Sequence, residues 1–280
     1  MLQADGRNGT GSPAAKYSLG WDDGEIARLD AQSAWLDGPT RLLLRAAGIS
    51  AGMRVLDLGT GLGHVAMLAA EMVGPQGRVV GVDSSLRFLG LAAHRASSLP
   101  QVRFVQGDVR SWQGEEPFDA VIGRLILFHL ADPSAVLRHH LAALRPGGLV
   151  VALDYDVGSL RTEPPVPLAV EGLARVIAAF QSAGANPTTG ARLALILAGA
   201  GLAGVEGFGI QGYLGPQDPR GPAMLAGVIR SLAPQMVAAG IATIGDLGLD
   251  TFSERCAAQM RASNSVLLPP VLAGAWGRRP

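Results

Sequence analysis

The chain has 280 residues, 23 of them basic and 23 acidic, so its formal net charge is zero and it lacks the positive face that a nucleic-acid substrate demands. Its single cysteine, Cys256, excludes a disulfide framework and leaves no thiol cluster for a structural zinc. With 48% hydrophobic and only 16% charged residues, it can bury a full core and still carry apolar surface for a substrate cavity or a subunit interface, so a homodimer is compatible with it.

Residues 1–16 are rich in Gly, Ser, Asn and Pro and read as a disordered tail without the basic-then-apolar pattern of a secretory leader. The longest apolar run, Leu193 to Val205, falls short of the roughly 20 residues a membrane helix needs. A cytoplasmic protein with neither a membrane nor a nucleic acid as partner is expected. Residues 17–49 carry helical spacing in two pieces, Ile26, Leu29, Ser33 and Leu36, then Leu42 to Leu44 and Ala47 after Gly38-Pro39. Tyr17, Trp21, Arg28, Gln32 and Trp35 are the polar and aromatic residues of this segment that could touch a ligand, or else pack it down.

Residues 53–63 run from a buried-strand pattern into Gly59, Gly61 and Gly63, with Asp57 two residues before the first glycine. Glycines there let the backbone turn sharply and approach a ligand closely. Spacing separates the candidates: the dinucleotide fingerprint needs its third glycine at position 64, which is His64, and no Gly-Lys-Ser or Gly-Lys-Thr triplet supports a phosphate loop of the Walker kind.

Four further strands follow. Arg78 to Asp83 ends in an acid that can accept hydrogen bonds from both hydroxyls of a ribose. Val102 to Gln106 leads into Gly107-Asp108-Val109, and Phe118 to Gly123 leads into Arg124 and the segment LILFHLADP. A helix from about Pro133 to Arg145, a turn at Pro146-Gly147-Gly148 and a strand at Leu149 to Asp154 complete the series. The loop DLGTGLG, the two acids, LILFHLADP and LRPGG, in this order over residues 50–156, resemble the motifs of class I S-adenosylmethionine-dependent methyltransferases.

That resemblance implies an α/β, Rossmann-like, doubly wound sheet of seven strands, six parallel and one antiparallel, with helical lid segments. It implies S-adenosylmethionine as cofactor and S-adenosylhomocysteine as product. The cofactor set it suggests is Asp57, Gly59, Thr60 and Gly61 in the loop, Asp83 and Ser84 at the ribose, and Gly107, Asp108 and Val109 at the adenine, with Asp108 facing the amino group. Arg124 would border the methionine portion, and Tyr17 and Gln32 would reach down from an N-terminal lid at 17–49.

After the fifth strand, Leu168 to Ala183 and about Thr188 to Leu202 read as helices. Val205 to Leu214 and Val266 to Trp276 read as the sixth and seventh strands, an antiparallel closing pair in the family's fold. The core is then 50–214, the last strand lies in 265–280, and 215–264 is a helical insertion too long for a hairpin turn, with helices at Met224 to Ala239 and Thr251 to Ser263; a second lid over the substrate is expected.

Ligands of such sheets bind at the carboxyl ends of the strands, which nominates His129, Asp154 and Tyr155 as catalytic. His129 suits a base by its ordinary pKa, or it only supports its loop. Asp154 and Asp156 straddle Tyr155, and period-two alternation puts both carboxylates on one side, where they orient a substrate or meet only solvent and a helix end. A third ligand for a carboxylate metal site is not identifiable, so no metal is expected. The expected reaction is methyl transfer to oxygen, nitrogen or carbon of a small, fairly apolar metabolite, such as a natural-product intermediate. A non-methylating rearrangement, decarboxylation or cyclisation on the same cofactor, or a binding module without turnover, are the alternatives.

Overall fold

The computed structural model describes residues 23–114 and 117–280. Tyr17, Trp21 and the tail at 1–16 lie outside the described residues. The remaining chain builds one sheet of seven strands in the order β3-β2-β1-β4-β5-β9-β7. Its first five members are β1 (Arg54–Leu58), β2 (Arg78–Asp83), β3 (Val102–Gln106), β4 (Phe118–Arg124) and β5 (Leu144–Asp156), all parallel. β9 (Val271–Arg278) runs antiparallel to both β5 and β7 (Ala203–Ile210), so six strands share a direction and one opposes them.

β1 and β4 are nearly continuous in buried apolar residues because helices cover both faces of the sheet. On one face, α1 (Asp23–Ala47), α2 (His64–Val73) and α3 (Leu86–Arg95) pack Leu43, Leu44, Ala69 and Leu89 onto Val55, Val79, Ile122 and Val151. On the other, α4 (Pro133–Leu141) and α6 (Thr189–Gly199) pack Leu137, Leu193 and Leu197 onto Leu56, Val121 and Val150. Consecutive residues such as Val55 and Leu56 enter opposite cores, as the pleat requires.

Alongside the sheet stands a second core. There α5 (Pro167–Ser182), α7 (Arg220–Ala238), a short α8 (Ile244–Leu247) and α9 (Phe252–Ala262) bury Val176, Phe180, Ile229, Leu232, Phe252 and Met260 together.

Several boundaries differ from expectation. Positions 23–47 form one helix rather than two, with Pro39 inside it, because Leu36, Leu43 and Leu44 bury on one continuous face and outweigh the lost hydrogen bond. α4 stops at Leu141, and β5 already begins at Leu144, its register slipping between Phe118 and Ala120 where Gly147 takes φ 72. The expected strand over Val266 to Trp276 is two strands. Pro269 and Pro270 have no N–H to give to a ladder, so β8 (Val266–Leu268) leaves the sheet and pairs with β6 (Arg161–Glu163), which the sequence reading did not contain. β7 ends at Ile210; beyond it Gly212 lies against Trp35, and Leu214 bridges to Leu267. Among the described residues no helix is long and apolar enough to cross a membrane.

Candidate active site

β1 and β4 are neighbours although β2 and β3 intervene in the chain, so the helices leave them toward opposite faces and a crevice opens at their carboxyl ends. The glycine loop fills that point. Gly59, Gly61 and Gly63 have φ of 66, 53 and 81, conformations that L side chains rarely adopt. Gly61 has open space where a Cβ would stand, and its N–H donates to Asp83 Oδ2 at 2.9 Å while Ser85 N–H donates to Oδ1 at 2.9 Å. Each oxygen of Asp83 keeps a further acceptor site for a ribose hydroxyl. Burial raises the Asp83 pKa, so hydroxyl donors that compensate its charge are favoured.

Thr60 Oγ1 donates to Asp57 Oδ2 at 2.6 Å, and burial pushes the Asp57 pKa up to about 7. Asp108 is gripped by Arg110 at 2.5 Å, and the hydrogen bonds from that guanidinium hold its carboxyl below the usual range. Arg124, 9% exposed, donates to Thr40 Oγ1 at 3.0 Å and Ser33 Oγ at 2.9 Å and lies 3.6 Å from Asp37, so its side chain ties the end of β4 to α1. Burial lowers its pKa from the ordinary arginine value. On the loop's other side Asp30 receives Arg95 at 2.7 Å and meets His64 at 2.9 Å, a second clamp between α1 and the core.

The glycine loop, the strand ends beside it and α1 line a cavity of about 280 Å³. Its first end is polar and contains Gln32, Asp57, Gly59, Thr60 and Gly61, together with Asp83, Ser84, Gly107, Asp108, Val109 and Arg124, which is the whole expected cofactor set apart from Tyr17. The second end is apolar: Phe128, Leu173, Val176, Phe180, Met224, Leu225 and Val228 close it from α5, α7 and the turn after β4. Arg28, His129 and Tyr155 also line the cavity. Sequence reasoning expected a substrate lid over 215–264 but named none of these apolar side chains as site residues. Leu125, also in the lining, holds φ 56, a strained value for a leucine and a conformation that collects at functional sites.

Asp154, expected at the catalytic end of β5, does not reach the cavity. It is fully buried, outside the lining, and accepts hydrogen bonds from Phe128 N–H and Tyr155 N–H at 3.2 Å each. Alternation does set Asp154 and Asp156 apart from Tyr155, but Tyr155 is the residue on the cavity side. Asp154 is therefore an anchor for the turn that carries His129. Its burial raises its pKa to about 7, above the roughly 3.9 of an unfolded aspartate. Between about pH 4 and 7 the folded chain keeps a proton that the unfolded chain has released, so this group's contribution to stability falls as pH rises and is fully lost above about 7. Asp154→Asn should accordingly gain melting temperature relative to wild type as pH rises through that window. Thermal unfolding from pH 4.5 to 8 checks it, and a difference independent of pH would contradict the assignment.

His129 stands in a 3-10 turn with its ring centroid 3.7 Å from that of Phe128, and burial pushes its pKa down to about 4. His139 and His140 face away from the cavity and meet the carbonyls of Trp112 at 3.0 Å and Val109 at 2.6 Å. No cluster of three or more metal-ligating side chains occurs among the described residues.

A glycine loop, a half-buried acid with spare acceptor sites at the end of β2 and a second acid after β3 stand together at the switch point of the parallel sheet, where such folds bind nucleoside cofactors. Residues 49–183 match the family described as a methyltransferase domain. The chain is 35% identical over 172 residues to trans-aconitate 2-methyltransferase of Azoarcus sp. (strain BH72), covering 58% of this chain and 64% of that one. It is 34% identical over 106 residues to 2-phytyl-1,4-naphtoquinone methyltransferase of Thermosynechococcus vestitus, covering 38% and 47%. The chain thus spans less than two thirds of the length of these curated relatives. Among solved structures, the YcgJ protein of Bacillus subtilis superposes with TM-score 0.54 at 16% identity, covering 86% of this chain and 98% of that one. Phosphoethanolamine N-methyltransferase 2 of Haemonchus contortus in complex with S-adenosyl-L-methionine gives 0.52 at 19%, covering 87% and 52%; both likenesses concern the fold. Residues 49–183 are thus similar to the methyltransferase domain of class I S-adenosylmethionine-dependent enzymes, whose cofactor is S-adenosylmethionine.

Proposed function

We propose that this protein transfers the methyl group of S-adenosylmethionine to a small, largely apolar metabolite. The observation that carries the proposal is the continuity of the cavity, polar at the glycine loop and apolar between α5 and α7. Bound at the polar end, the cofactor would supply an electrophilic methyl on a good leaving group. Asp83 would take the ribose hydroxyls, Asp108 the adenine amino group, and the backbone of Gly59 to Gly61 with Arg124 the methionine end.

The chain's own contribution is then chiefly placement, since holding nucleophile and methyl in line can supply much of the acceleration. His129, with its pKa near 4, is neutral at pH 7 and a weak proton acceptor. Tyr155 has its phenol pKa pushed up by burial, so it stays protonated and acts as a donor. α1 and the helices of 215–264 serve as the two lids that exclude water.

Release of S-adenosylhomocysteine, followed with apolar phenols, alcohols and acids beside sugars and amino acids, tests this reading. Turnover confined to apolar acceptors is expected. Turnover only with the hydrophilic ones would contradict the assigned role of the α5 and α7 wall.

A further inference from the structure

Among the described residues, those that line the cavity beside its apolar end include Arg28 and Tyr155, while the acids of the lining belong to the polar end. Arg28 reaches the cavity from α1, yet its Nε and Nη2 donate to Glu25 at 2.8 and 2.6 Å. Glu25 is 2% exposed, stays outside the lining, and is fixed from behind by Ser231 Oγ at 2.9 Å. The buried pair therefore shows its cationic end to the cavity. Burying such a pair costs desolvation that its own attraction barely repays, so stability alone does not account for it.

Tyr155 adds a second polar group. Its hydroxyl makes no hydrogen bond to the described residues, although a tyrosine hydroxyl in such surroundings usually has a partner. Arg28 and Arg124 both exert their charge on it. The acids in the lining, Asp57, Asp83 and Asp108, stand at the carboxyl ends of β1 and β2 and just beyond β3. Among the described residues, an ammonium group at the apolar end would meet a guanidinium and no carboxylate.

We propose that the acceptor is a carboxylate on an apolar body, its oxygens held by Arg28 and the Tyr155 hydroxyl and its body between α5 and α7. The inference rests on the methyl-transfer reading and narrows it. One carboxylate oxygen forms the new O–C bond while the C–S bond breaks, the electron pair passes to sulfur, and the products are a methyl ester and S-adenosylhomocysteine. No proton moves, so a site without an effective base suffices.

The test uses the full chain saturated with S-adenosylhomocysteine and titrated with octanoate, octan-1-ol and octylamine. Octanoate should bind about tenfold or more tighter than either analogue, as a charge-assisted hydrogen-bonded contact implies. R28K should keep most of that preference and R28Q should lose most of it. If R28Q does not fold because Glu25 is left buried and unpaired, E25Q/R28Q replaces the pair with two neutral amides and is titrated in its place. Equal affinities, a preference for the amine, or no binding of any of the three overturns the proposal. So does an R28Q protein that keeps the octanoate preference and loses S-adenosylhomocysteine affinity, which would give Arg28 to the cofactor. Failure of wild type to bind S-adenosylhomocysteine at all would instead strike the methyl-transfer reading itself.

Discussion

Asp83→Ala should weaken S-adenosylmethionine binding by about 3 kcal/mol, on the order of 100-fold, the upper part of the range for hydrogen bonds to a charged group. Two losses combine. The carboxylate is positioned for the ribose hydroxyls, and it also receives Gly61 N–H and Ser85 N–H, so the alanine variant loses both the sugar contact and the brace that shapes the loop. Folding should suffer less than binding, because removing Asp83 also relieves the desolvation that raises its pKa. Asp83→Asn, which keeps one acceptor oxygen, should fall between wild type and alanine. Calorimetric titration of the three proteins measures this, and equal affinities would remove Asp83 from the site.

Gly63→Ala should lower stability by about 3 kcal/mol, combining about 1–2 for the left-handed backbone with about 1–3 for overpacking. Gly63 opens α2 at φ 81, and a Cβ there would stand 2.9 Å from both Ala92 Cβ and the Phe104 ring, within the packed core rather than at a flexible surface. A melting temperature lower by about 5 °C is the expected reading for a chain of this size. Gly61→Ala is the contrasting variant. Its Cβ has nothing nearer than Gly59 O at 4.0 Å, so its stability loss should be smaller while its cofactor affinity drops, because the added methyl projects where the ligand approaches. Thermal unfolding of both variants decides the matter; a Gly63→Ala protein melting with wild type would contradict the packing described.

The glycine loop and both acids were legible in the sequence because their signals are local: a buried run ends in glycine or aspartate, and the next helix begins. The same holds for the five parallel strands, whose apolar runs sit between turn residues. The apolar end of the cavity was not legible. Val176, Phe180 and Met224 read as ordinary helix faces, and only the tertiary packing of α5 against α7 turns part of those faces toward the cofactor loop. Asp154 shows the limit of period two, which says that Asp154 and Asp156 share a face but not which face is the cavity. The break between β8 and β9 did have a signal, Pro269-Pro270, and a strict rule against proline inside a central strand would have placed it. Arg28 was recognised as a lid residue, and Glu25 stands at helical i,i+3 spacing from it, but the remote Ser231 that fixes the glutamate follows no spacing rule.

Isothermal titration of the purified protein with S-adenosylmethionine and, separately, S-adenosylhomocysteine tests the central claim most directly. Micromolar binding of both at one site per chain is the predicted result. Absence of detectable binding for either would contradict the assignment of the polar end of the cavity.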